Sequence, residues 1–311
     1  MVLKIEEIRK SFKNLNVLNG INFSIEKGEL VSIIGPSGAG KTTLLKIIAG
    51  LEDPDSGNVV FLSAAPAILV FQDYILFPSM NVFENVAFGL KAARLNEKKI
   101  LQKVRGILSS FSLENKIKAY PSELSAGQKQ RVAIARAMVL EPDVLLLDEP
   151  FANLDKNLKM EMAEFIRAKQ REYKTTTLLV THDQQEAFMV SDMIGIIIEG
   201  RLIQYDTAER VYNNPISIEA ASFLGHVNII PEKFRTLLCP PQKRDSIKAY
   251  ARAESFRIEK DEQGPAFVLD VNFAGHFIIY RVLWEDWLCT VYRLEGGIEK
   301  GDRVRVILVS C

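Results

Sequence analysis

The run Gly35-Pro36-Ser37-Gly38-Ala39-Gly40-Lys41-Thr42 ends a glycine-rich stretch with a lysine and a hydroxyl residue. It lies between an apolar segment at residues 31–34 and a helical pattern at 43–49. Glycines let a backbone curl around phosphate oxygens with its N–H groups turned inward, and a following helix adds unpaired N–H groups and its positive dipole end. Lys41 supplies a point charge for terminal phosphates, and the Thr42 hydroxyl suits Mg²⁺. Strand, loop and helix in register predict a nucleoside triphosphate site over Gly35, Pro36, Ser37, Gly38, Ala39, Gly40, Lys41, Thr42 and Thr43. A second patch of chemistry ends the apolar run at 144–147, where Asp148 and Glu149 follow. Such a run suits a strand covered on both faces, and ligands of open α/β sheets collect at the C-terminal strand ends. There Asp148 would hold Mg²⁺, and Glu149 would polarise an attacking water as general base.

These groups need a parallel sheet to bring them together. Apolar runs at 31–34, 68–71, 144–147, 177–181 and 194–198 read as strands, with helices after Gly40, Ala126, Leu154 and Asp183, the pattern of a mixed α/β domain. Residues 212–231, with Asn213-Asn214-Pro215 and Pro231, read as a linker carrying one short helix. Beyond them, period-two alternation over 246–259, 266–273, 277–282, 287–292 and 303–309 predicts a small β-barrel or sandwich. A chain of 311 residues has room for both domains.

The 39 basic and 39 acidic residues cancel, which removes the electrostatic footprint of a dedicated nucleic-acid binder. No apolar run reaches the roughly 18–20 residues that span a bilayer, and residues 1–10 lack a signal peptide's apolar block. Cys239, Cys289 and Cys311 are scattered, forming neither a disulfide framework nor a metal cluster. The expectation is a cytosolic protein whose membrane role runs through a partner.

Leu124-Ser125-Ala126-Gly127-Gln128 precedes residues 144–150, and Asn153-Leu154-Asp155 and Thr181-His182-Asp183 follow. In this order the motifs resemble the ATPase subunits of ATP-binding-cassette transporters, specifically those of solute importers, over residues 1–230. The resemblance implies ATP and Mg²⁺ as cofactors. It also implies a P-loop NTPase α/β domain over 1–231, with a helical subdomain at 73–140 and a linker at 212–231. Residues 232–311 look like the small all-β, oligomer-binding-type domain appended to many such importer ATPases. Gln72 matches the glutamine that reaches Mg²⁺ and the attacking water, joining Thr42 and Asp148 as metal ligands and Glu149 and His182 as catalytic groups. His182 matches the γ-phosphate switch, Phe12 the aromatic that stacks on adenine, and Asp155 a residue of the dimer interface. Ser125 and Gln128 form a capping box that, with the Gly127 backbone, makes an anion site without a basic side chain. By resemblance that site closes on the γ-phosphate held by the other subunit.

Two departures from the family pattern stand out. Ala126 replaces the commoner glycine, which is tolerable at helical or extended angles and unfavourable at positive φ. The segment 50–72 is shorter than in typical relatives by about ten residues, with 58–62 and 68–71 joined through 63–67, a trimmed antiparallel subdomain. In the C-terminal part Ala251-Arg252-Ala253-Glu254-Ser255 sits where relatives carry Arg-Pro-Glu, so packing against a dimer mate is the expected role there. The partners implied are a second copy in an ATP-sandwich homodimer, transmembrane permease subunits received near Phe77, and an extracytoplasmic solute-binding protein reached through the permease. No nucleic acid is expected. The place implied is the cytoplasmic face of the inner membrane, peripherally, and the solutes are polyamine, ferric iron, sulfate or molybdate, osmolyte or sugar. The alternative is a soluble cassette ATPase acting in translation or DNA repair; a single cassette without a basic patch or long coiled coil argues against it.

Overall fold

The computed structural model describes residues 1–62, 67–238 and 249–309. Cys239, Cys311, the start of the strand expected at 246–259 and most of the connection expected at 63–67 lie outside them. The chain divides into two units, Met1–Asn214 and Pro215–Cys311.

The first unit runs β1 (Leu3–Phe12), β2 (Leu15–Ile25), β3 (Leu30–Ile34), α1 (Lys41–Ile48), β4 (Ser56–Phe61), β5 (Ala67–Val70), α2 (Val82–Ala92) and α3 (Glu97–Ser110). It continues with α4 (Ala126–Met138), β6 (Val144–Asp148), α5 (Lys156–Tyr173), β7 (Thr176–Thr181), α6 (Gln184–Val190), β8 (Met193–Ile198), β9 (Arg201–Thr207) and α7 (Ala208–Asn213). Six strands form one sheet in the order β5-β6-β7-β3-β8-β9, parallel except for β9. The middle strands are apolar throughout because both faces are covered. Val144 and Leu146 of β6, with Leu178 and Val180 of β7, face the core shared with α1 and β1. Leu145, Leu147 and Leu179 face the opposite core, shared with α2 to α5. Each such side chain stabilises the fold by about 1.5–3 kcal/mol on burial.

The antiparallel sheet β2-β1-β4 covers the α1 side, and β1 with β2 are the strands that alternation alone does not reveal. Leu3, Ile5 and Ile8 are the buried apolar residues of β1, so the inward spacing changes from two to three. The register shifts between Ile5 and Ile8, where Glu7 takes φ 50. An inserted residue of this kind breaks the period of two.

The second unit runs α8 (Ile218–Phe223), β10 (Val227–Ile229), α9 (Glu232–Leu238), β11 (Tyr250–Arg252), β12 (Phe256–Lys260), β13 (Ala266–Phe273), β14 (Ile278–Trp284), β15 (Trp287–Arg293) and β16 (Arg303–Leu308). The short helix expected within 212–231 is α8, capped by Ser217 with Ala220 and Ala221 fully buried, and β10 adds a strand beyond it. The strands β12-β16-β13-β14-β15 form an antiparallel sheet, and its edges β12 and β15 also approach each other. Phe234 of α9 covers the interior between Trp284 and Trp287, at ring distances of 4.8 and 5.3 Å. The strand expected from 246 to 259 is two: β11 pairs with β10 and β12 with β16, and the 3-10 turn Ala253–Ser255 carries the switch of partner. Arg252 is buried there and donates to the Ala221 carbonyl, so it serves its own unit. No helix among the described residues is long and apolar enough to cross a membrane.

Candidate functional site

Register brings the chemistry to one edge of the six-stranded sheet. Ile34 of β3 lies beside Thr181 of β7, and Asp148 of β6 beside Val180. Val70 of β5 lies beside Leu147, so Gln72 leaves its strand at the level of Glu149. The loop after β3, the carboxylates after β6, His182 after β7 and Gln72 after β5 therefore emerge together at the C-terminal strand ends, where open α/β sheets bind ligands.

The phosphate loop needs its glycines at identifiable points. A Cβ on Gly35 would lie 2.1 Å from the Ile197 carbonyl oxygen. Gly40 takes φ 95 at the N-cap of α1, where a Cβ would meet the Val17 carbonyl oxygen at 2.6 Å. No side chain caps α1, so its first-turn N–H groups stay available to an anion. Lys41 is buried and donates from Nζ to the Gly35 and Pro36 carbonyls at 2.8 and 2.9 Å. Burial lowers its pKa, against the opposing pull of Glu149 and Asp148.

The Thr42 hydroxyl donates to Asp148 Oδ1 at 2.9 Å. Burial raises the Asp148 pKa and nearby Glu149 adds to the rise, while the Thr42 hydrogen bond works against it. A desolvated carboxylate beside a hydroxyl is a hard oxygen pair that suits Mg²⁺, which keeps most of its coordination for water and phosphate. No cluster of three or more His, Cys, Asp or Glu able to hold a metal occurs among the described residues, so a metal here would rely on the nucleotide as well.

Glu149 stands in left-handed backbone, φ 43, with its N–H donated to the Val180 carbonyl at 3.0 Å. That bend points its Oε2 to within 3.1 Å of His182 Nδ1. Behind the histidine, Thr181 donates to Glu186 Oε2 at 2.5 Å, and Lys159 donates to Glu186 Oε1 at 2.9 Å. Asp183 caps α6 through the N–H groups of Gln185 and Glu186. Lys159, Glu186 and Arg136 support the site from positions that no sequence motif marks. A Thr-x-x-x-x-Glu pairing across a strand end leaves no periodic signal, so only coordinates reveal it.

Lys41, Thr42, Asp148, Glu149 and His182 gather at one sheet edge, with Thr42 bonded to Asp148 and Glu149 to His182, and Gln72 leaves the neighbouring strand at its margin. Gln72 is exposed, and its carbonyl accepts from Asn153 Nδ2 at 3.3 Å. Ser125, Gly127, Gln128 and Asp155 make a second group. Ser125 and Gln128 form the expected capping box, at 3.1 and 3.3 Å. A Cβ on Gly127 would lie 3.2 Å from Leu158, in the first turn of α5, which Asp155 caps. No hydrogen bond or ion pair among the described residues joins this group to the first. Ala126 opens α4 without positive φ, and its side chain packs against the helical core. Phe12 ends β1, 45% exposed, with Lys10 Nζ 5.1 Å from its ring centroid. An aromatic face this open can stack a base.

Fold and site define a phosphate-loop ATPase. The family model described as ABC transporter matches residues 18–152. The sulfate/thiosulfate import ATP-binding protein of Xylella fastidiosa is 41% identical over 293 residues, covering 86% of this chain and 84% of the relative. The Fe(3+) ions import ATP-binding protein of Vibrio cholerae is 42% identical over 277 residues, covering 86% and 77%. Among solved structures, cbiO1 from Clostridium perfringens, part of an ABC transporter complex, superposes with a TM-score of 0.63 at 33% identity, covering 68% of this chain and 90% of its own. A dimeric ATP-binding cassette in a post-hydrolysis state, bound to ADP and Pi, gives 0.59 at 28% identity, covering 66% and 98%. The chain belongs to the ABC transporter family, as an ATP-binding and ATP-hydrolysing subunit of its import group.

Proposed function

We propose that the chain energises import of a small solute as a head-to-tail homodimer on a membrane permease, at the cytoplasmic face of the inner membrane. Relatives named for sulfate/thiosulfate, Fe(3+) and spermidine/putrescine import support a solute of one of those classes; molybdate, an osmolyte or a sugar is the wider range of the same proposal. An extracytoplasmic solute-binding protein would deliver the solute to the permease. The permease would dock beside Phe77 and Phe88, in an open groove of about 280 Å³ on the first unit. The C-terminal unit is read as the oligomer-binding-type domain of this group, packing against its mate.

The observation that carries the proposal is the gathering of Lys41, Thr42, Asp148, Glu149 and His182 at one sheet edge. Residues 35–43 would cradle the triphosphate, with Phe12 against the base. Thr42, Asp148 and Gln72 would hold Mg²⁺, which when bound offsets phosphate charge. Glu149 takes a proton from water as the water oxygen bonds to the γ-phosphorus, and the bond to the β–γ bridging oxygen breaks to release ADP. His182, held beside Glu149, contacts the γ-phosphate. The partner's Ser125–Gln128 segment would complete the site, its capped helix start offering backbone N–H groups to the γ-phosphate. Asp155, capping the helix that Gly127 packs on, ties the two sites across the dimer.

Glu149→Gln tests the reading. The variant keeps the side chain's shape and loses the base, so ATP binding persists while turnover falls about 10²-fold or more. ATP then accumulates dimer on size exclusion. Turnover near the parent value refutes Glu149 as base.

A further inference from the structure

The loop between β5 and α2 carries Gln72 at its start and Phe77 further on. Tyr74 and Ile75 inside it both hold left-handed backbone, φ 61 and 39, a conformation unfavourable for a tyrosine and more so for a β-branched isoleucine. Something outside the loop has to hold it there. Asn85 of α2 binds the Phe77 end, accepting from its N–H at 2.8 Å and donating to its carbonyl at 3.1 Å. The Tyr74 ring is buried in the helical core and the N–H groups of Tyr74 and Ile75 donate to the Phe71 and Asp73 carbonyls, while the two carbonyls of the strained pair are gripped by one side chain. Arg136, in the last turn of α4, donates Nη1 to the Ile75 carbonyl at 2.8 Å and Nη2 to the Tyr74 carbonyl at 3.2 Å. Its guanidinium also lies 5.4 Å from the Phe77 ring centroid. A planar fork reaching two successive carbonyls fixes direction as well as distance, which a lysine ammonium does not.

The helix that carries Arg136 in its last turn is capped at its other end by Ser125. One rigid rod thus has the anion-binding cap at one end and the grip on the Gln72 loop at the other. Arg136 also lines the groove with Phe77, Phe88 and Leu140. We infer that Arg136 is a positioning residue for ATP hydrolysis: it locks Tyr74 and Ile75 in left-handed backbone, so that the α4 rod and Gln72 move as one body. The inference rests on the reading of Gln72 as a group that meets the attacking water.

Arg136→Met and Arg136→Lys separate this from simple packing, in the full chain assembled on its permease. Hydrogen exchange of the amides at 74–77 reads the loop directly. It rises at least about tenfold in Arg136→Met, to an intermediate level in Arg136→Lys, and stays unchanged in β6 and α1. Turnover falls about tenfold in Arg136→Met while the KM for ATP stays within about twofold, because the phosphate loop is untouched. Adding Arg136→Met to Gln72→Ala then costs nothing further. Unchanged exchange at 74–77 overturns the inference, as does a full tenfold loss on top of Gln72→Ala. If Gln72→Ala alone turns over like the parent, Gln72 has no part in hydrolysis, and the catalytic half of the inference falls with that reading. The exchange result still decides whether Arg136 locks the loop. Where Arg136→Met fails to fold, the graded response of Arg136→Lys carries the same test.

Discussion

Ala126→Gly restores the residue commoner at this place in the family, and the structure sets a definite expectation for it. Ala126 is the first residue of α4, lacks positive φ, and packs its half-buried methyl against the helical core. The methyl therefore leaves the anion-binding end of the helix clear. Removing it gains no conformational relief and gives up two terms. A glycine in place of alanine weakens a helix by about 0.5–1 kcal/mol, toward the lower value at a first position. Losing a half-buried methyl adds about 0.4 kcal/mol. Together they predict about 1 kcal/mol of lost stability, a melting temperature lower by roughly 2–4 °C for a unit of this size. Steady-state phosphate release on the permease should stay within about twofold of the parent. The assay is a thermal melt of the nucleotide-free subunit alongside that turnover. A several-fold faster Ala126→Gly enzyme refutes the reasoning, since the methyl would then have to face phosphate.

Two further expectations come from groups away from the nucleotide. Asp192 accepts from both guanidinium nitrogens of Arg167 and from the Leu30 N–H, and these hold its pKa below the usual carboxylate value although burial opposes them. Its contribution is therefore present above the unfolded carboxylate pKa, about 4, and lost as pH falls through the lower folded value. Asp192→Asn should destabilise by about 1 kcal/mol at neutral pH, after allowing for solvent screening, with the gap closing in acid-dependent melts below pH about 4. In the C-terminal unit, burial pushes the Cys289 thiol up to about 12. With Cys239 and Cys311 replaced by serine, the native protein should not react with a thiol reagent at pH 8, and denaturant should expose one reactive thiol per chain. Fast labelling of the native chain would contradict the buried placement.

The phosphate loop, the carboxylates after β6 and the capped start of α4 were legible because each needs residue types that are rare in combination. Strand β6 was legible because burial on both faces forces an unbroken apolar run. The hairpin β1–β2 was hidden by a bulge at Glu7 that shifts the inward residues out of alternation. The division of 246–259 was hidden because β11, three residues long, carries too little pattern of its own, and only the change of partner at Ala253–Ser255 tells it from β12. At the site, the sequence put a name to each charged group and missed what braces them. Arg136 reaches 61 residues back to Ile75, and Glu186 meets Thr181 and Lys159 from two other elements. Such side chains look like ordinary helix surface until the chain is folded.

The order of the six-stranded sheet also sets where the molecule is stiff. Asp148 and the phosphate loop hang from β6 and β3, each hydrogen-bonded on both sides. Gln72 hangs from β5, four residues long and, among the described residues, paired along one side only, with β6. Compliance is thus concentrated under the glutamine and withheld from the groups that hold phosphate. A force applied at Phe77 would be spent tilting a short outer strand long before it disturbed Lys41 or Asp148. The strand under Gln72 and the strands that hold the phosphate loop and Asp148 thus differ in support by a single place in the sheet order.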